Sequence, residues 1–225
     1  MEESLREAAR RYASRDWEGT LDALRAVDSS EGNHLDLAYL LGLAHARLEH
    51  WDEALLYLEQ VVTTGSDLMR IYQCRLALAY VYAMTGRHRL AQYELERLKQ
   101  SGFESVQVLS FLGYTSWALG RPDDAIRSYG AALALDPENA TALNGMGYVL
   151  ACEGRESARA LTFCRKAVDK NPENPAYLDS LGWAYWRLGF VEEAKDYLGR
   201  AQARAPGELE IADHARSVAA GENLP

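Results

Sequence analysis

Apolar residues recur at spacings of three and four along nearly the whole chain, interrupted by short polar turns. Between Pro175 and Pro206, Leu178, Leu181, Gly182, Tyr185 and Leu188 fall on one helical face, and Ala194, Leu198 and Ala201 resume the pattern after Gly189. Two short amphipathic helices joined at Gly189 are predicted, with Gly182 leaving room for a neighbouring helix. The pattern is periodic. With Pro175 taken as position 1, the small residue of position 8 falls at Ala8, Gly42, Ala79, Gly113, Gly147 and Gly182, in steps of 34, 37, 34, 34 and 35 residues. Position 20 falls at Thr20, Ala54, Ala91, Ala125, Ala160 and Ala194, in steps of 34, 37, 34, 35 and 34. Two independent markers share one register, so six helix hairpins follow one another.

The order Leu-Gly-x-x-Tyr, then Ala, then an apolar residue four later, then Pro resembles the tetratricopeptide repeat, a helix-turn-helix unit of about 34 residues. The resemblance implies an all-α, right-handed α-solenoid: one array over residues 1–225, with repeats at 1–34, 35–71, 72–105, 106–139, 140–174 and 175–208 and a capping helix at about 209–220. The closing proline stands at Pro137, Pro172 and Pro206 and is replaced in the first three units. Glu7, Ala8 and Arg11 make the first unit the weakest match, as suits an N-terminal cap with no preceding neighbour. Gly120 is expected to end a helix in the left-handed region and Pro122 to begin the next. Asn139 and Asn174 are expected to cap helices. The three extra residues between Ala54 and Ala79 are expected in the loop near Thr63 to Met69, and the single extra residue between Gly154 and Ala160. The final helix is expected to bury Ile211, Ala212, Ala215 and Val218 and to turn Glu210, Asp213, Arg216 and Ser217 outward, while Gly221–Pro225 frays.

In such arrays the first helix of each pair lines a concave groove through positions 2, 5, 9, 12 and 13. On this register, position 9 reads Ala9, Leu43, Tyr80, Tyr114, Tyr148 and Trp183, and position 12 reads Tyr12, Ala46, Ala83, Trp117, Ala151 and Trp186. The groove the resemblance implies is therefore lined by Tyr80, Tyr114, Trp117, Tyr148, Trp183 and Trp186. Tyr39, Arg47, Asn144, Asp179 and Arg187 stand beside this row as orienting groups. The alternative is that these rings merely pack between adjacent first helices. Trp17 and Trp51 precede second helices and are expected to pack between loops. Position 9 carries no Asn, so the family's clamp for a C-terminal carboxylate is not expected.

The formal net charge of −9 disfavours binding to a phosphate backbone, which requires a clustered basic surface. The longest apolar run, residues 76–84, is about half of a bilayer span, so no membrane insertion is expected. MEESLREAARR lacks the apolar core of a secretory signal, which points to a cytoplasmic location. Cys74, Cys152 and Cys164 are far apart and are expected as buried thiols; Cys152 maps to groove position 13. Gly145-Met-Gly147 lacks the third glycine of a dinucleotide fingerprint, and the five histidines form no metal-spaced pair. No catalytic residue, cofactor or metal is expected. The expected function is a non-catalytic scaffold that binds a protein or peptide in an aromatic-lined groove. The alternatives are a self-assembling homo-oligomeric subunit and a helper subunit of a transport or secretion assembly.

Overall fold

A computed structural model describes residues 3–27 and 34–221. The described elements are helices: α1 Glu3–Ala13, α2 Trp17–Arg25, α3 His34–Arg47, α4 Trp51–Thr64, α5 Leu68–Met84, α6 His88–Gln100, α7 Val106–Ala118, α8 Pro122–Leu135, α9 Ala140–Cys152, α10 Ser157–Lys170, α11 Pro175–Arg187, α12 Val191–Arg204 and α13 Leu209–Ala220. The chain divides after Glu104 into two compact units, the first holding α1–α6 and the second α7–α13. The class implied by the resemblance, an all-α helical-repeat solenoid, is the class each unit displays. The expected fraying past Gly221 lies outside the described residues.

Within each unit, every odd-numbered helix up to α11 pairs with the even-numbered helix that follows it, and the odd-numbered helices also pack on one another, α1 on α3 and α3 on α5, then α7 on α9, α9 on α11 and α11 on α13. This row of odd helices forms one face of each unit. Its close hairpins rest on position 8. A methyl group at Gly113 would lie 2.8 Å from the Tyr129 ring, at Gly147 2.5 Å from Cys164 Sγ, and at Gly182 2.7 Å from Leu198 Cγ.

The turn inside each hairpin is set at position 15, where the backbone is left-handed in all six hairpins: Arg15, Glu49, Gly86, Gly120, Gly154 and Gly189 have φ between 61° and 81°. The next residue's N–H then donates to the carbonyl five residues back, as in Arg121 N to Ser116 O at 2.9 Å and Phe190 N to Tyr185 O at 3.0 Å, which satisfies an otherwise orphaned helix-end carbonyl. Glycine adopts this geometry without a side-chain clash; Arg15 and Glu49 adopt it with one. At the opposite ends, Asn139 Oδ1 accepts from Ala142 N at 3.1 Å and Asn174 Oδ1 from Ala176 N at 3.0 Å, closing the first turns of α9 and α11.

The two insertions are absorbed differently. The single extra residue sits at the start of α10, where Glu156 takes a second left-handed conformation at φ 46°. The three extra residues do not lengthen the loop before α5, which is only Gly65–Asp67. Instead α5 begins four residues ahead of position 1 and gains a turn, capped by Asp67 Oδ1 accepting from Met69 N at 3.0 Å.

The second unit shares one continuous core. Leu109, Tyr129, Met146, Leu150, Cys164, Leu178, Leu181 and Leu198 fill the space between successive hairpins, and Ile211 and Val218 of α13 close it.

Candidate functional site

The odd-helix face of the second unit gathers most of the rings singled out from the sequence. Trp117 of α7 meets Tyr148 of α9 edge to face, with centroids 5.9 Å apart and planes at 83°. Phe111 and Tyr114 lie 6.0 Å apart one turn earlier on α7. Tyr114 remains exposed, Trp117 and Tyr148 are half-buried, and Trp183 of α11 is 7% exposed. Ser110 Oγ and Asn144 Oδ1 occupy position 5 of α7 and α9, and both atoms are buried with no hydrogen-bond partner among the described residues.

One end of this face is covered by α13. His214 stacks on Trp183 with centroids 4.1 Å apart and planes at 23°, and its Nδ1 lies 2.9 and 3.0 Å from the two carboxylate oxygens of Asp179. One turn earlier, Glu210 Oε1 accepts the Tyr148 hydroxyl at 2.5 Å. Asp179 is only 5% exposed, and burial raises its carboxyl above the usual range, opposed by the adjacent imidazole. Burial, then the neighbouring Cys152 and Glu210, push the Tyr148 phenol far above its ordinary value; burial and Glu210 raise Tyr114 as well. Cys152, half-buried behind Tyr148, is pushed up to about 11 by burial, against the opposing pull of donors on Tyr148 and Trp183. Its thiol is therefore largely protonated at neutral pH.

Asp179, Trp183 and Tyr148, expected along an open groove, are thus engaged by the chain's own last helix. The reason is the rotation of α13 about its axis. Ile211 and Val218 are buried as expected, and Glu210 is exposed as expected although it bonds Tyr148, while His214 turns in against Asp179 and Trp183. Glu210 and His214 are four residues apart and form one stripe beside the apolar residues, a pattern equally compatible with an outward face. Trp186 is half-buried against the core, and Arg187 lies over the backbone of Gly154, whose added methyl would come within 2.8 Å of its guanidinium.

The remaining expected residues belong to the first unit. Tyr39 donates to Gln73 Oε1, and Arg70 lies over its ring, 5.3 Å from the centroid, while pairing with Asp36. The periodicity conceals Arg70, which enters through the extra turn of α5. Arg47 stands over Trp17, 5.8 Å from the ring centroid, and Trp17 packs on Tyr12 at 4.9 Å. Trp51 meets Tyr80 at 6.1 Å. Both tryptophans, expected between loops, instead open α2 and α4 and pack on side chains of the odd helices.

Residues 112–175, spanning α7 to the start of α11, match the model of the tetratricopeptide repeat. The chain thus carries tetratricopeptide-type repeats over this stretch. An 82-residue stretch of this chain is 42% identical to the TPR repeat-containing protein PA4667 of Pseudomonas aeruginosa, covering 36% of this chain and 14% of that one. The chain therefore spans about 14% of the length of that relative. Among solved structures, TTC0263, a thermophilic TPR protein of Thermus thermophilus, aligns with a TM-score of 0.65 at 20% identity, over 83% of this chain and 99% of that one. YrrB, a TPR protein with an unusual peptide-binding site, aligns with a TM-score of 0.57 at 21% identity, over 83% and 95% of the two chains. These likenesses are of fold. Tetratricopeptide-repeat proteins are generally non-catalytic modules that bind proteins or peptides. Among the described residues no helix is long and apolar enough to cross a membrane.

Proposed function

We propose that this protein is an interaction scaffold whose second unit holds a segment of another protein on the odd-helix face, against Tyr114, Trp117 and Tyr148. The observation that carries this reading is the aromatic platform itself, where Tyr114 is exposed and Trp117 and Tyr148 meet edge to face. Rings bury large areas with few rotors to immobilise and dominate binding energies when they are central. In the first unit, Tyr39, Arg47 and Tyr80 supply a second aromatic and cationic face for the same kind of partner.

Affinity capture from host lysate tests the reading, comparing wild type with Tyr114→Ala/Trp117→Ala of matched helicity. A protein enriched by the wild type and lost with the variant supports the groove. Equal enrichment by both, or recovery only of the chain itself, overturns it in favour of another surface or self-assembly.

A further inference from the structure

The contact between α13 and the odd-helix face is more selective than a cap requires. A cap needs apolar residues over the last hairpin, which Ile211 and Val218 provide. The additional contacts form a recognition set: a phenol donor on Tyr148, an indole face on Trp183, and the buried carboxylate of Asp179, met by Glu210 and His214 one helical turn apart. A buried carboxylate demands a cationic or donating partner whenever its present one leaves. The indole face favours a planar group. The phenol requires an acceptor. Together they specify an amphipathic helix with a carboxylate at i and histidine or arginine at i+4.

The resident helix is lightly held. Only Ile211 and Val218 of its 12 residues are buried, against eight in α11. Its N-cap, Glu208, makes no side-chain capping bond, whereas Asn174 caps α11. Leu209 is 78% exposed, and the linker to α12 contains Pro206-Gly207. A short helix with few buried residues and no N-terminal side-chain cap depends on its docking surface to stay folded.

We propose that α13 is a displaceable internal ligand, and that the surface beneath it binds a partner's amphipathic helix bearing the same carboxylate and cationic-ring pair at i and i+4. This rests on the scaffold reading above and adds the partner's class and its regulation. A resident occupant lowers a partner's apparent affinity in proportion to the fraction of time the site is open. Helix binding to such a face is a known mode of recognition, read through anchors on successive turns.

The test uses the full chain and a fluorescein-labelled peptide of residues 206–221 as the probe, followed by anisotropy. Weakening the resident with His214→Ala, or with Ile211→Ala/His214→Ala, should tighten probe binding at least tenfold relative to wild type. Adding Asp179→Asn to either variant, or replacing the probe's histidine with alanine, should reverse the gain. Hydrogen exchange of α13 amides, measured on the same proteins, should rise in the weakened variants. If α13 exchanges rapidly in the variants and the probe still does not bind, the surface is not a helix site. If its amides stay as protected as in wild type, α13 is a fixed cap. Either result overturns the proposal. Partner capture that survives those results and still depends on Tyr114 and Trp117 leaves the scaffold reading standing.

Discussion

Gly147→Ala places the hairpin packing under direct test. On an open helix surface this substitution stabilises by about 1 kcal/mol, because alanine has the higher helix propensity. At Gly147 the new methyl would lie 2.5 Å from Cys164 Sγ and 3.0 Å from Ala160 O and Cys164 N. The sulfur can turn aside, but the two backbone atoms cannot move unless α10 shifts as a body. Overpacking of this kind costs about 1–3 kcal/mol, so after the propensity gain the net loss runs up to about 2 kcal/mol. For a chain of this size that lowers Tm by up to roughly 8 °C. Gly199→Ala on α12 is the internal control. No atom lies within 4 Å of the added methyl, so the same substitution should stabilise by about 0.5–1 kcal/mol. Urea titrations followed by far-ultraviolet circular dichroism, with the m-value held constant, read both. A Gly147→Ala midpoint at or above wild type, or a Gly199→Ala midpoint below it, would refute the close-approach argument.

Further outcomes follow from the buried charges and thiols. Arg75 Nη1 and Glu94 Oε2 lie 2.5 Å apart between α5 and α6 with their side chains 15% and 11% exposed, so Glu94→Ala should cost about 3 kcal/mol while Arg75→Met/Glu94→Leu recovers most of it, as paired denaturant titrations would record. Alkylation of Cys152 by iodoacetamide should be slow at pH 8 and keep accelerating toward pH 11, since its thiol is raised to about 11; a rate that levels off near pH 9 would contradict the burial. The linkage has a definite sign. With the folded thiol raised above its unfolded value of 9.0, its contribution to stability is complete below pH 9 and is lost as pH rises through about 11, a decline visible in urea midpoints across that window.

The hairpins were readable because two small-residue markers recur at nearly constant spacing and because a small residue is the only one that fits where helices touch. Gly113, Gly147 and Gly182 say so chemically. The caps were readable for the same kind of reason: Asn139 and Asn174 sit just before apolar runs, and Pro122 starts one. The shared left-handed position was half-hidden. Gly86, Gly120, Gly154 and Gly189 advertise it, but Arg15 and Glu49 hold it through the packing of their hairpins and carry no local sign. The long α5 was concealed because three inserted residues look alike whether they extend a loop or a helix. Asp67, able to cap, was the one available hint, and Arg70 reaches Tyr39 and Asp36 only because of that extra turn. The orientation of α13 was the least accessible feature. With two deeply buried residues, Ile211 and Val218, a modest rotation decides whether His214 meets solvent or Asp179 and whether Glu210 reaches Tyr148, and tertiary packing makes that choice.

The central claim is that Tyr114 and Trp117 form part of a protein-binding face. The measurement that tests it most directly is a calorimetric titration of the captured partner segment into wild type and into the folded Tyr114→Ala/Trp117→Ala variant. If the two rings are central anchors worth at least about 2 kcal/mol together, Kd should rise at least about 30-fold, with a smaller negative heat-capacity change as less apolar surface is buried. An unchanged Kd, with the variant's helicity and stability intact, would contradict the account and return these rings to the role of packing residues.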